Sequence, residues 1–284
     1  WRAYRRARKE LIRRCSSLDE RPDVVHVHTA ADWSWRRKAR LMKIVRRNGI
    51  SCVLHLHSGN MASWLGRRNI FGQKNSTPMK KYIDFYEIHL VTLSEHWSRK
   101  LEPFLGPSKH INNPVHPRFS PQNGVKRVPG KVLVVGRKDP VKGHFFAIDV
   151  IRKVREIHPK MHLVMTGIDD HPEPWVNTLG WTSTEDLVNQ YRTSQLLLMP
   201  SLFEGQPLAA IEAMSCGTQV IVSSNITSLP ESALSIRLDL DLWVSKIIDL
   251  MSSNTKLGEG SDMSEFEIQV VQSQWALLYS SSCV

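Results

Sequence analysis

Two carboxylates eight positions apart, Glu204 and Glu212, stand in the segment SLFEGQPLAAIEAMSCG, the first on a Gly/Pro turn and the second inside an apolar helical stretch. A carboxylate among Leu208, Ala209, Ala210, Ile211, Ala213 and Met214 calls for a polar partner, because burying an unpaired charge costs on the order of several kcal/mol. A second cluster lies upstream in VLVVGRKDPVKGH, where an apolar strand runs into Gly136 and Arg137, turns at Pro140, and reaches Lys142 and Gly143 at a helix start. Strand, glycine turn and helix N-terminus make an anion site. Arg137 supplies a planar fork of donors and Lys142 a compact charge, a pair suited to two neighbouring phosphates. Taken alone, an Arg and a Lys in a loop are as readily surface residues. If both turns meet at one sheet edge, Arg137, Lys142 and the 205 to 208 amides surround a diphosphate. The two carboxylates are then left to accept hydrogen bonds from vicinal hydroxyls. That combination describes a nucleotide-sugar site.

The elements that must position these residues alternate. A basic helix over residues 1 to 18 feeds the strand DVVHVH at 23 to 28, and a helix follows from Trp33 to Arg47, with Trp35, Ala39, Met42 and Val45 on one stripe. Asn48-Gly49 ends it. Next come the strand CVLHLH at 52 to 57, a Gly/Asn-rich loop from 58 to 76, a helix opened by Thr77 and Pro78, and the strand IHLVTLS at 88 to 94. A Pro/Gly/Asn-rich stretch then separates the series, giving an expected first domain at 1–115 and a linker at 116–130. The second series, 131–264, holds strands at 131–135, 162–166, 196–199 and 219–223, with helices at 143–156, 184–194 and 207–215. A polar stretch from Ser252 to Ser264 precedes a last helical pattern at 265–284, expected to pack back on the first domain. The alternation predicts two doubly wound parallel-sheet domains with ligands at the carboxyl ends of the strands.

Charge is divided between the halves. Of 38 Lys/Arg and 27 Asp/Glu in the 284 residues, the first 130 hold 26 and 9 and the remainder 12 and 18, so the halves carry +17 and −6 of the net +11. A basic first half points to an anionic partner, phospholipid headgroups or a phosphorylated acceptor ahead of nucleic acid, for which no binding module is legible. No apolar run reaches the roughly 18 to 20 residues of a spanning helix. With no signal-peptide order at the start, a cytoplasmic location is expected, with peripheral contact at the inner face of a membrane. Cys15, Cys52, Cys216 and Cys283 show no metal or disulfide spacing. The chain opens within a basic helical pattern, WRAYRRARKELIRR, so a natural start upstream is expected. Neither a P-loop nor a G-x-G-x-x-G is present, which removes the support for a kinase-like or dehydrogenase reading.

Taken together, the Glu204/Glu212 pair, the GR…KG pair Arg137/Lys142, LGW…DLVNQYRTSQLLLMPSLFEG from 179 to 205 and NNPV at 112 to 115 resemble the retaining glycosyltransferases of GT-B fold, family 4 (group 1). The resemblance spans about residues 20 to 235. It implies two Rossmann-like domains facing a cleft, the first lacking its initial strand and Gly-rich turn. It further implies transfer of a sugar from a nucleotide-diphosphate donor, UDP- or GDP-linked, to the hydroxyl of an acceptor glycan or lipid-linked sugar, with no cofactor and no metal. The roles carried over are diphosphate binding for Arg137 and Lys142 beside Gly136, ribose binding for Glu212, and contact with the donor sugar for Glu204. The same resemblance assigns the donor-binding turn to Gly205, Gln206, Pro207 and Leu208.

In the first domain, LHLHSGN resembles the segment in which a strand-end histidine faces the donor sugar, which selects His57, while His55 is expected to be structural and His28 to border the cleft. The HVH and HLH pairs put like-facing histidines on parallel strands, an arrangement a metal could use. Hydrogen-bonded strand histidines are the favoured reading. Two other functions stay open: a catalytically silent sugar-nucleotide binder and a nucleotide-sugar epimerase.

Overall fold

The computed structural model describes residues 2–253 and 261–282 and divides the chain into two compact units, one formed by residues through Asn113 together with those from Gln269, the other by Pro114–Ile268. Trp1, Cys283 and the middle of the polar stretch expected at 252–264 lie outside the described residues.

In the first unit the order is α1 (Arg2–Ser16), β1 (Val24–Thr29), α2 (Trp33–Arg47), β2 (Ser51–Leu56), α3 (Met61–Gly66), α4 (Ser76–Phe85), β3 (His89–Thr92), α5 (Glu95–Leu105) and β4 (Lys109–His110). The strands form one parallel sheet in the order β1-β2-β3-β4. Helix α2 buries Trp35, Met42 and Val45 and turns its arginines outward. Its end is set by Gly49, whose φ of 67° belongs to the left-handed region that glycine adopts without strain. Helix α5 starts where the Ser94 hydroxyl accepts the Trp97 N–H, with Glu95 in its first turn.

Side chains alternate across the sheet. Cys52, Leu54 and Leu56 face the cluster built with α2, α3 and α5, whereas Val53 and Val91 face Val271 and Leu278 of the C-terminal helix, Ile268–Ser282. That helix thus belongs to the first unit and covers the sheet face opposite α2.

The second unit contains β5 (Lys131–Val134), α6 (His144–Arg155), β6 (His162–Met165), β7 (Val176–Thr178), α7 (Thr184–Thr193), β8 (Leu196–Met199), α8 (Leu208–Ser215), β9 (Gln219–Ser223), β10 (Leu234–Ile236) and α9 (Leu240–Ser252). All its strands are parallel, in the order β10-β9-β8-β5-β6-β7. Counted from β5 as the first, this is the 3-2-1-4-5-6 order of a dinucleotide-binding sheet, whose direction of winding reverses between β5 and β8. The central strands are apolar throughout because both faces are covered: Val132, Val134, Leu163 and Leu198 meet α6 and α9, while Leu133, Leu197, Val220 and Val222 meet α7 and α8.

Residues 116–130, expected as a linker, stand inside this second unit. Phe119 is buried in its core. Arg127 donates to the carbonyls of Ser194, Cys216 and Gly217 and, at 3.2 Å, to the Thr218 hydroxyl, tying the segment to the ends of α7 and α8. Proline, glycine and asparagine broke the helical and strand periods there. The anchoring side chains Phe119 and Arg127 carry no periodic signal, so composition alone suggested a tether. Asp239, which caps Leu242 N–H, and the spacing of Trp243, Ile247 and Met251 set helix α9. The three-residue edge strands β7 and β10 are too short to show a period.

Candidate functional site

The turns after β5 and β8 lie side by side because those strands pair directly, Val132 with Leu196 and Leu133 with Leu197. This is the topological switch point, where open α/β sheets bind ligands. Backbone contacts lace the turns together: Leu202 N–H donates to Val141 O at 2.9 Å. Gly143 allows the approach, since its φ is 70° and a Cβ there would stand 2.4 Å from the Pro200 carbonyl oxygen.

Across these turns Lys142 Nζ donates to Glu204 Oε1 at 2.5 Å, both side chains being mostly covered, at 24% and 15% exposure. The two residues are 62 positions apart, so only sheet order brings them together. Arg137 is largely exposed and folds onto Asp139 instead, Nη2 to Oδ2 at 3.0 Å. Asp139 also accepts the Val141 N–H and so shapes the 3-10 turn Pro140–Lys142. That amide first, and then Arg137, holds the Asp139 carboxyl below its ordinary range. Asp139 escaped the sequence reading, although an Asp two residues past the arginine and before a proline is a turn-forming signal.

Gly136 donates its N–H to Thr166 Oγ1 at 3.1 Å. Its carbonyl is approached so closely by Gly167 that a Cβ on Gly167 would lie 2.1 Å from it. Beside Gly136 and Arg137 opens a pocket of about 190 Å³ lined also by Thr166, Gly167, Trp181 and Leu187. Trp181, 94% exposed, stands at its rim with its ring unburied. No sequence motif singled out this pocket, because its walls come from three separate loops.

Gly205, Gln206, Pro207 and Leu208 form the approach to α8, with Gln206 and Pro207 buried and Leu208 exposed. The helix has no side-chain cap at Pro207, and of its first amides Ala210 N–H donates to Pro207 O at 3.1 Å. Glu212 sits one turn into α8. The polar partner its apolar surroundings require is Tyr191 of α7, whose hydroxyl donates to Oε2 at 3.0 Å. Burial raises the Glu212 carboxyl, and the Tyr191 hydrogen bond opposes that shift without cancelling it. The structure therefore joins Lys142 to Glu204, and sets Arg137 and Glu212 against separate partners.

His57 follows β2 in the first unit, its N–H donating to Thr29 O at 2.9 Å and its Nε2 lying 2.7 Å from His28 Nδ1. Burial, with His28 second, pushes its pKa down to about 4, so the ring is neutral at neutral pH. His55 is buried behind it and pushed to about 2, again by burial first.

Residues 116–234, less than half the chain, match the family model described as glycosyl transferases group 1. The O-antigen chain mannosyltransferase B of Escherichia coli is 48% identical over 59 residues, 21% of this chain and 15% of that protein. Trehalose synthase of Pyrococcus horikoshii is 27% identical over 183 residues, 50% of this chain and 42% of that one. The chain's matches span 15% and 42% of the length of these two curated relatives. Among solved structures, Anabaena HepE in complex with UDP-glucose superposes with a TM-score of 0.71 at 14% identity, covering 98% of this chain and 82% of that chain. The fold is GT-B, two parallel-sheet α/β units. The matched segment, 116–234, includes Arg137, Lys142, Glu204 and Glu212.

Proposed function

We propose that this protein transfers a hexose from a nucleotide-diphosphate sugar, UDP- or GDP-linked, to the hydroxyl of a glycan or lipid-linked acceptor with retention of anomeric configuration, in the synthesis of a surface polysaccharide or glycolipid. The observation that carries the reading is the Lys142–Glu204 pair at the switch point of the second sheet. Both cations of the site are held by carboxylates, Lys142 by Glu204 and Arg137 by Asp139, and an arriving diphosphate competes for them. Lys142 then neutralises charge that builds on the diphosphate as the glycosidic bond breaks, and the uncapped start of α8 adds its amides. Released from Lys142, Glu204 accepts hydroxyls of the donor sugar. Glu212, positioned by Tyr191 through Oε2, accepts a ribose hydroxyl through Oε1. The pocket at Trp181 takes the base, whose flat face an exposed indole can stack on. His57, neutral, offers a hydrogen bond to the donor sugar. The transfer uses no resident cofactor, and the leaving diphosphate takes the proton of the acceptor hydroxyl.

The first unit carries 23 Lys/Arg against 9 Asp/Glu, a balance of +14, and the second 15 against 18. No helix among the described residues is long and apolar enough to cross a membrane. Arg67, Arg68 and Lys74 flank the exposed Ile70 and Phe71, so the reading includes peripheral contact of the first unit with an anionic membrane on the cytoplasmic side. Co-sedimentation with anionic vesicles should then weaken as salt is raised.

A thermal-shift panel of UDP-, GDP- and ADP-sugars tests donor binding, because a ligand of the folded state raises its stability. Donor turnover with an acceptor glycan tests catalysis. A melting shift without any release of nucleotide diphosphate would identify a silent sugar-nucleotide binder, and an unaltered melting point with every donor would sink the reading.

A further inference from the structure

Four histidines share one face of the first sheet. Residues two apart on a strand point the same way, and the parallel register sets His28 opposite His55, so His26, His28, His55 and His57 converge. Their rings lie within a few ångströms of one another, 4.2 Å between the centroids of His26 and His28 and 5.3 Å between those of His28 and His55. One ring nitrogen from each of His26, His28 and His55 lies within 4.8 Å of the others.

The hydrogen bonding of this group is incomplete. His55 is 3% exposed and both its ring nitrogens are buried without a hydrogen-bond partner among the described residues, as is His26 Nε2. Buried polar atoms are nearly always satisfied, so three orphans in one cluster need an explanation. Two other ring nitrogens of the group are satisfied: His26 Nδ1 lies 2.7 Å from the Tyr279 hydroxyl and His28 Nδ1 2.7 Å from His57 Nε2. A hydrogen bond at one nitrogen orients the ring and directs the lone pair of the other to a ligand, the usual outer support of a metal-bound imidazole. Trp275 of the C-terminal helix closes the group from above, its ring 4.4 Å from His26 and 5.0 Å from His55.

We infer that His26, His28 and His55 form a binding site for a divalent transition metal of the Zn²⁺ class, lying between the sheet and the C-terminal helix of the first unit. Three neutral imidazoles without a carboxylate suit Zn²⁺, Co²⁺, Ni²⁺ or Cu²⁺ and not the oxygen-seeking Mg²⁺ or Ca²⁺. Tetrahedral zinc–nitrogen bonds of roughly 2.0–2.1 Å require the nitrogens to draw about 1.5 Å closer than their widest present spacing, a movement of ring rotation. The ion would clasp β1 to β2 under Trp275 and Tyr279, which makes it a structural site, one of whose ligands, His28, also touches His57 at 2.7 Å.

The test uses the whole chain, stripped with EDTA and titrated with Zn²⁺ by calorimetry, with metal content after desalting read by mass spectrometry. One Zn²⁺ per chain is expected, with a rise in melting temperature that Mg²⁺ does not reproduce, and Co²⁺ should give visible absorption of an imidazole-ligated ion. His28→Gln, at an exposed position the fold tolerates, should weaken Zn²⁺ affinity at least tenfold while the metal-free melting temperature stays within a few degrees of wild type. His110→Gln, at an exposed position of the edge strand β4, should leave the titration unaltered. Failure to retain Zn²⁺, or retention unchanged in His28→Gln and in His26→Gln, would show that the histidines stack without a metal.

Discussion

The two units treat their functional polar groups in opposite ways. In the second, each charge of the site already has a partner: Lys142 has Glu204, Arg137 has Asp139 and Glu212 has Tyr191. In the first, the histidines are stripped of charge by burial, and several of their nitrogens have no partner among the described residues. A site that must receive an anion can keep its cations ready in exchangeable ion pairs, since an approaching phosphate takes the place of a carboxylate as the cation's partner. A neutral, partly unsatisfied imidazole cluster has nothing to exchange. It gains only from a ligand that accepts lone pairs, and the difference between the units is one between preorganised charge and stored lone pairs.

The largest effect that could break this comparison is on catalysis. Lys142→Ala should lower turnover about 10²- to 10³-fold, the loss typical of one preorganised charge-stabilising group. Its melting temperature should move by only about 2–4 °C. Steady-state kinetics beside a thermal melt will separate the two; equal losses in both would make Lys142 a structural residue. Next comes the backbone beneath the site. Gly167→Ala places a Cβ 2.1 Å from the Gly136 carbonyl oxygen at a φ of 71°, and should cost about 2–3 kcal/mol in a denaturant titration.

Smaller and opposite in sign are two changes around Glu212. Tyr191→Phe removes the hydrogen bond to a half-buried carboxylate and should destabilise by about 1–2 kcal/mol. Glu212→Gln should do the reverse at neutral pH. Burial raises the folded-state pKa of Glu212 above its unfolded value of 4.5, so the folded protein holds this proton longer than the unfolded chain. The group's contribution is therefore fully favourable below 4.5 and is lost as pH rises through the raised folded value. Melting curves should show Glu212→Gln ahead of wild type near pH 7 and level with it near pH 4, with donor affinity about tenfold weaker, one charged hydrogen bond's worth. At the small end, Arg13→Ala breaks exposed ion pairs to Glu10 and Glu20, and should shift the melting temperature by less than about 1 °C.

Legibility followed the range of the interactions. Strands at 196–199 and 219–223 and the helix from Trp33 to Arg47 stand where the apolar period predicts them, because each is set by neighbours within a few residues. The need of Glu212 for a partner was also visible, since its flanking residues are apolar. Tyr191 as that partner was not, being on another helix. Residues 116–130 lacked a period and so suggested a linker, yet Phe119 and Arg127 hold them to the second unit by contacts with distant residues. His26 and His55 were apparent as strand histidines, whereas their orphaned nitrogens depend on what the C-terminal helix brings, Trp275 and Tyr279, more than 200 positions away.

By itself the sequence determined the alternation of strands and helices, the glycines that admit close approach, and the presence of cationic and carboxylate side chains near strand ends. These are local properties of period, turn geometry and side-chain chemistry. Only the tertiary structure decided that β5 and β8 are neighbours, that Lys142 meets Glu204, and that four imidazoles share one covered face. Strand order and burial are settled by the collective packing of residues far apart in the chain, and a residue's neighbours in sequence carry no record of it.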